Sequence, residues 1–503
     1  MTTPPRKASG LEPDRETIES WLRTFADAAL AQLDALPVAS AAGCVGPEGA
    51  AIAKSVSRPI PEEPYGGGAR ELAALVTRAA EAALNTIGPG YLAYIPGGGL
   101  PSSAIASLVA DLLNRYTGLV PAAPGLTRLE SDVLRWLANE FGYGPAAAGL
   151  LTSGGSLSQL AAMVTARHVH FGDVAVPADA RAYTSSQAHR SVAKALRLAG
   201  HGSDALRAIA VDARWRMDPD ALADAVRHDR ANGLRPFLVV AAAGTTNTGA
   251  IDPLPAIADV CREHGLWLHV DGAYGGAFVL CREGREALRG IERADSITFD
   301  PHKGFFLPYG TGALLVREGA ALRRAHRDEA DYLQDLELES DSGGDMSPAE
   351  YGPELSRPFR GLGLWLPLML HGARAFREAL AEKLALARSL HAGLARIPGI
   401  EIVDAPQLSI VPFRARRAPG EPLAAWNARN EAWMDAINGC GHVLLSSTLL
   451  PSPEGQLFTL RGCILSFRTH ADRIEALLAD AAATLPTATQ FTAESAEDAE
   501  HQR

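Results

Sequence analysis

From Asp14 onward, Ile18, Leu22, Phe25 and Ala29 recur at helical spacing, so an amphipathic helix is expected to begin the fold. Residues 43–68 are rich in Gly and Pro and end in Tyr65-Gly-Gly-Gly68, the pattern of a connector. A second helical pattern over 72–84 leads to Gly88-Pro-Gly-Tyr-Leu-Ala-Tyr-Ile-Pro-Gly-Gly-Gly99. Its glycines and paired tyrosines suit backbone lining a pocket, and suit a surface loop equally well.

The middle of the chain alternates. Short apolar, β-leaning runs lie at 182–184, 208–211, 237–242, 266–270 and 296–299, with a further one at 312–316. Helical stretches such as 192–198 and 219–227 separate most of them. This alternation predicts an α/β fold with a mostly parallel sheet covered on both faces. After an amphipathic stretch over 362–390 the pattern changes to closely spaced strands at 401–403, 408–413, 442–446 and 457–467. Thr469-His-Ala-Asp472 has the form of a capping box opening a last helix, giving a small α+β domain. The expected division is 1–100 for an N-terminal helical segment and loop, 101–375 for a large domain, 376–486 for the small domain and 487–503 for a polar tail.

Composition narrows the class. With 503 residues, 47% of them hydrophobic and 21% charged, the chain can fill roughly three domain cores, and wholesale disorder is excluded. The 47 basic and 58 acidic side chains give a net charge of −11, which argues against nucleic acid or an anionic membrane as partner. No stretch approaches the roughly 20 apolar residues of a membrane span. Arg6 and Lys7 are not followed by an apolar segment, so a cytoplasmic protein is expected. Cys44, Cys261, Cys281, Cys440 and Cys463 are scattered, which suits small buried side chains better than disulfides or zinc. His168 and His170 lack a third ligand nearby and read as a helix end, so no metal is expected.

Candidate chemistry gathers where apolar runs end, the place where open α/β sheets bind ligands. Leu151-Thr-Ser-Gly-Gly-Ser-Leu-Ser158 turns through Gly154 and Gly155 into a helix, and has the form of a phosphate cradle without the Walker lysine. Asp271, in His269-Val-Asp-Gly-Ala-Tyr-Gly-Gly276, would project a carboxylate that needs a cationic partner. Lys303, in Phe299-Asp-Pro-His-Lys303, is a lysine placed for Schiff-base chemistry. His189 follows Ser185-Ser-Gln-Ala and could stack on a flat ring, and Gly244-Thr-Thr246 offers hydroxyls. Each segment alone has a plain structural explanation, such as an N-cap or a loop-capping aspartate. Together they describe the needs of pyridoxal 5'-phosphate (PLP).

These segments, in this order and spacing, resemble the group II PLP-dependent decarboxylases, which include the aromatic-L-amino-acid, histidine and glutamate enzymes. The resemblance runs from about Arg15 to Pro486. It implies the PLP-dependent transferase-like fold (fold type I), with a seven-stranded-type sheet, and a homodimer whose active site lies at the subunit interface. It implies further that Lys303 forms the internal aldimine, Asp271 pairs with the pyridine nitrogen and His189 stacks on the ring. Gly155 and Ser156 would hold the phosphate, with Thr246 and His302 completing the surroundings. Tyr332, in Asp328-Glu-Ala-Asp-Tyr332, matches the tyrosine that returns a proton to Cα on a mobile loop, and Tyr91, Tyr94 and Pro96 match the substrate-side loop.

The expected reaction is decarboxylation of an L-amino acid to an amine and carbon dioxide. An aldehyde synthase on the same scaffold is the nearest alternative; a transaminase or a non-catalytic homologue stands further off. The chain departs from the family pattern at Gly272, a mild change, and at Asp300, where asparagine is frequent. Gly304 replaces a bulky residue and so implies looser packing beside the lysine. Gly97–Gly99 replaces a stretch richer in side chains, which leaves the substrate open. Arg115 is read as a structural ion-pair partner in preference to a carboxylate binder.

Overall fold

Asp14 opens the first helix, α1 (Arg15–Ala35), by accepting a hydrogen bond from the Thr17 N–H at 2.8 Å. The computed structural model describes residues 11–327 and 346–486. The apolar stripe that predicts α1 is not covered: Ile18, Trp21, Leu22 and Phe25 are all exposed. The connector expected over 43–68 contains a helix, α2 (Gly46–Val56). Pro47 lies in its first turn, where a missing N–H is tolerated. Helix α3 (Gly68–Glu81) then leads to the 88–99 loop.

The large sheet has seven strands. They are β1 (Ala148–Thr152), β2 (Ala180–Ser185), β3 (Leu206–Ile209), β4 (Arg235–Ala242), β5 (Trp267–Asp271), β6 (Ser296–Phe299) and β7 (Gly312–Val316), in the order β1-β7-β6-β5-β4-β2-β3. Strands β3, β2, β4, β5 and β6 are parallel, and β7 runs antiparallel to both neighbours. Every residue of β1, β2, β6 and β7 is buried, which explains why these strands read as short apolar runs and not as alternating patterns.

Nine helices accompany this part of the chain: α4 (Pro101–Leu113), α5 (Pro124–Glu140), α6 (Gly155–Phe171), α7 (Ser191–Leu198), α8 (Pro219–Ala231), α9 (Leu254–Glu263), α10 (Arg282–Ala287), α11 (Pro301–Gly304) and α12 (Gly319–His326). One core joins α5, α8 and α9 to the sheet through Leu137, Leu222 and Ile257. A second joins α6, α7 and α12 through Met163, Leu196 and Leu322. The sheet is thus covered on both faces, as expected.

Helix α13 (Arg360–Leu394) bends at Gly372, whose φ of 72° departs from helical geometry. Beyond it lie β8 (Ile400–Ile402), β9 (Ile410–Ala415), α14 (Leu423–Gly439), β10 (Ser446–Ser452), β11 (Gly455–Cys463) and α15 (Ala471–Thr484). The four strands form an antiparallel sheet in the order β10-β11-β9-β8.

Two local expectations fail here for one reason. The strand expected at 442–446 begins only at Ser446, because Leu444 pairs with the 88–99 loop: its N–H donates to Gly90 O at 2.9 Å and its carbonyl accepts from Leu92 N–H at 3.0 Å. The capping box is not formed. Helix α15 has no side-chain cap, and the Thr469 hydroxyl donates instead to Pro89 O at 2.7 Å. Arg468 adds a bond to Gly98 O at 2.8 Å, so the small domain clamps the glycine-rich loop. Among the described residues no helix is long and apolar enough to cross a membrane, and no cluster of His, Cys, Asp and Glu is arranged to hold a metal ion.

Candidate active site

Because β1 and β6 are both antiparallel to β7, β1 runs in the same direction as the parallel strands. The glycine turn after β1, His189 after β2, Thr246 after β4, Asp271 at the end of β5 and Lys303 after β6 therefore all leave the same edge of the sheet.

The glycine turn is held from behind. Leu151 O accepts from Arg357 at 3.2 Å and from Arg360 at 3.4 Å, and Arg357 pairs with Glu130 at 2.7 Å with both side chains buried. Removing one partner of such a pair is worth about 3–5 kcal/mol of stability, so the strand end is firmly placed. Thr152 Oγ1 and Ser158 Oγ lie 2.8 Å apart in the interior, whereas Ser153 and Ser156 remain exposed. A Cβ at Gly312 would fall 2.5 Å from the Gly154 carbonyl carbon, so only glycine lets β7 approach the turn so closely. The first N–H groups of α6, at Gly155 and Ser156, have no carbonyl within the helix to bond, and they carry its positive dipole end.

Lys303 sits in the short helix α11, which Pro301 starts. Its Nζ is 2.9 Å from Asp300 Oδ2, and its side chain is 23% exposed. His302 Nδ1 is 2.6 Å from Thr311 O, which requires the proton on that nitrogen, and burial lowers the ring's proton affinity. Nε2 is 3.7 Å from Asp300 Oδ2. Burial raises the proton affinity of the Asp271 carboxyl, while the Ala273 N–H and the nearby Lys303 and His189 pull it down. His189 is exposed, with Nδ1 2.7 Å from Ser191 Oγ. Thr245 is buried and ties the turn to Thr248, leaving the half-buried Thr246 as the hydroxyl open to a ligand.

The substrate-side loop is more closely packed than its composition suggests. Tyr91 and Pro96 are buried, and burial pushes the Tyr91 phenol well above its ordinary pKa. Tyr94 is 60% exposed, as is Tyr309 opposite. Cβ atoms at Gly97 and Gly98 would strike Tyr309 and Phe306 at 2.8 and 2.3 Å. Gly98, which faces the Phe306 backbone, is thus required by packing, whereas Gly97 meets only the end of the exposed Tyr309 ring. Gly304 likewise corrects the expectation of looseness: a Cβ there would sit 2.3 Å from that of Ala277, so the backbone beside the lysine is tight. Arg115 is exposed. Tyr332 lies outside the described residues.

One residue escapes the sequence reading. Arg461, on β11, is buried, donates to Ser446 Oγ at 2.9 Å and leaves Nε and Nη2 without a partner. Tyr91, Tyr94, Tyr274 and Cys463 surround it, and burial lowers its proton affinity. The signal was present: Arg461 is the one charged residue in the apolar run 457–467, and a charge so placed calls for a partner or a ligand.

The side chains fit PLP. A glycine turn at a helix start suits the phosphate, a half-buried carboxylate suits a protonated pyridine nitrogen, an exposed imidazole suits a ring face and an accessible amine suits an aldehyde. Residues 83–416 match the model of the pyridoxal-dependent decarboxylase conserved domain. The chain belongs to this family. It is a PLP-dependent lyase, and its seven-stranded sheet is the fold type I expected. The chain is 34% identical over 386 residues to an aromatic-L-amino-acid decarboxylase of Bacillus atrophaeus, covering 77% of this chain and 79% of that protein. It is 29% identical over 376 residues to a phenylacetaldehyde synthase of Arabidopsis thaliana, covering 72% and 75%. In fold it is similar to Oryza sativa TDC solved with PLP and tryptamine, with a TM-score of 0.84, 24% identity and coverage of 95% and 100%.

Proposed function

We propose that this decarboxylase converts an L-amino acid to the amine and carbon dioxide, with Lys303 holding the cofactor and Tyr332 returning a proton to Cα. The observation that carries the reading is the convergence of Lys303, Asp271, His189 and the glycine turn on one sheet edge in a chain of this family. When bound, the cofactor supplies an electron sink for the pair left as carbon dioxide departs. The chain supplies the rest: Asp271 a fixed negative charge, His189 a ring face, and the turn before α6 a seat for phosphate. Tyr332 enters from its place in the sequence alone. The Tyr332→Phe variant is expected to divert product from amine toward aldehyde, ammonia and peroxide, each turnover consuming one dioxygen and one water. Coupled assays of carbon dioxide, amine and peroxide follow the partition. The relative that is a phenylacetaldehyde synthase makes the oxidative outcome the second reading. Stoichiometric peroxide from the wild type would decide for it.

The substrate is best sought by screening amino acids for carbon dioxide release. Acidic side chains belong in that screen beside aromatic ones, because Arg461 offers a buried guanidinium among Tyr91 and Tyr94.

The homodimer is part of the same proposal. Ile105, Leu108, Val109, Leu112 and Leu113 are exposed on α4, which packs along α13, where Met369 and Leu370 are exposed too. With the bare stripe of α1, these exposed apolar side chains are the kind of surface a partner copy covers. Sedimentation equilibrium is expected to return twice 53.0 kDa, and a monomer at micromolar concentration would count against the shared site.

A further inference from the structure

Asp300 stands apart from the rest of the site. Its carboxylate is 97% buried, yet it lies at the glycine turn: a Cβ on Gly155 would sit 3.0 Å from Oδ2 and 3.2 Å from Oδ1. Oδ1 has no hydrogen-bond partner. Oδ2 faces Lys303 Nζ at 2.9 Å and His302 Nε2 at 3.7 Å. Asp271 is a further charged neighbour, whose proton affinity Asp300 raises. The protein therefore keeps an anion of its own against the helix start that suits the cofactor's phosphate, and pairs that anion with the lysine the cofactor needs. Two anions at one helix start oppose each other.

We propose that Asp300 controls cofactor loading: its carboxylate opposes the phosphate at the glycine turn and holds Lys303 as its counter-ion, so that PLP is taken up by exchange against an internal ion pair. Retention is then weaker than the remainder of the site would allow, and occupancy follows the cell's supply of cofactor. An asparagine of the same shape would lift the opposition and leave the packing intact.

The test uses the full chain freed of cofactor, as wild type and as Asp300→Asn, with calorimetric titration of two probes that cannot react with Lys303. Pyridoxine phosphate has a hydroxymethyl group in place of the aldehyde, and pyridoxine lacks the phosphate as well. The substitution is expected to tighten pyridoxine phosphate about tenfold or more and to leave pyridoxine within about twofold. Equal tightening of both probes would overturn the proposal, because Asp300 would then act on the ring or on Lys303 and not at the turn. No change, or weaker binding of the phosphate probe, would also overturn it, since the acid would then be bonding the phosphate. The wild type provides a reading that needs no variant: its phosphate group is expected to add less than about tenfold over pyridoxine, and a gain above about a thousandfold would contradict the proposal. Failure of both probes to bind either protein would instead refute the assignment of this edge as the cofactor's seat, and the proposal would fall with it.

Discussion

The Lys303→Ala protein is expected to decarboxylate at least about a thousandfold more slowly than wild type and to lose the visible absorbance of lysine-bound PLP. The side chain is 23% exposed, and its ion-pair partner is Asp300 at 2.9 Å, so alanine removes little packing. What it removes is the amine of the site. Lys383, on α13, is buried and committed to Glu382 and to Thr469 O, so it cannot substitute. Lys303→Arg separates the two duties of the residue. Arginine keeps a cation beside Asp300 but cannot condense with an aldehyde, so the same loss is expected with the ion pair preserved. Steady-state carbon dioxide release and an absorbance spectrum with added PLP check both variants. Activity above a few percent of wild type in either would remove Lys303 from the chemistry.

The residues that converge on the sheet edge were legible because each follows directly from a strand. A short apolar run ending in Asp271, or in Asp-Pro-His-Lys303, places its polar residue by local geometry alone, and the parallel pairing then brings the ends together. Arg461 was not legible in this way, since it reaches Tyr91 and Tyr94 from a different sheet through tertiary packing. Thr469 shows the opposite failure: its local pattern is that of a cap, yet its hydroxyl is taken by Pro89 O across the chain. Tight backbone contacts are invisible in composition too. Gly304 reads as empty space and proves to be a site where Ala277 leaves no room for a Cβ. The apolar stripe of α1 reads correctly as a helix, but nothing in its spacing says whether its own chain or another covers it.

Asp271→Asn is the second large effect, and it tests charge with shape held nearly constant. The carboxylate ends β5 and accepts the Ala273 N–H at 3.1 Å, a bond the asparagine carbonyl can keep. The negative charge, however, is lost, and with it the stabilisation of a protonated pyridine nitrogen as the electron pair develops. Decarboxylation is expected to fall about a thousandfold, mainly in kcat, because the lost interaction strengthens as the reaction proceeds. Stability should move the other way. Burial raises the proton affinity of Asp271 in the folded, cofactor-free protein above its unfolded value. The native state therefore binds the proton more tightly, and the residue's contribution to stability falls as pH rises from the unfolded carboxylate pKa, near 3.9, through the higher folded one. Above that window the wild type carries the desolvation penalty of the ionised carboxylate, and the asparagine variant does not. Cofactor-free Asp271→Asn should thus melt at or above the wild-type temperature at neutral pH, with the difference shrinking on acidification. Thermal melts across pH, set beside kcat, distinguish this from simple damage: a variant both inactive and less stable at neutral pH would mean that Asp271 serves the fold and not the charge of the site.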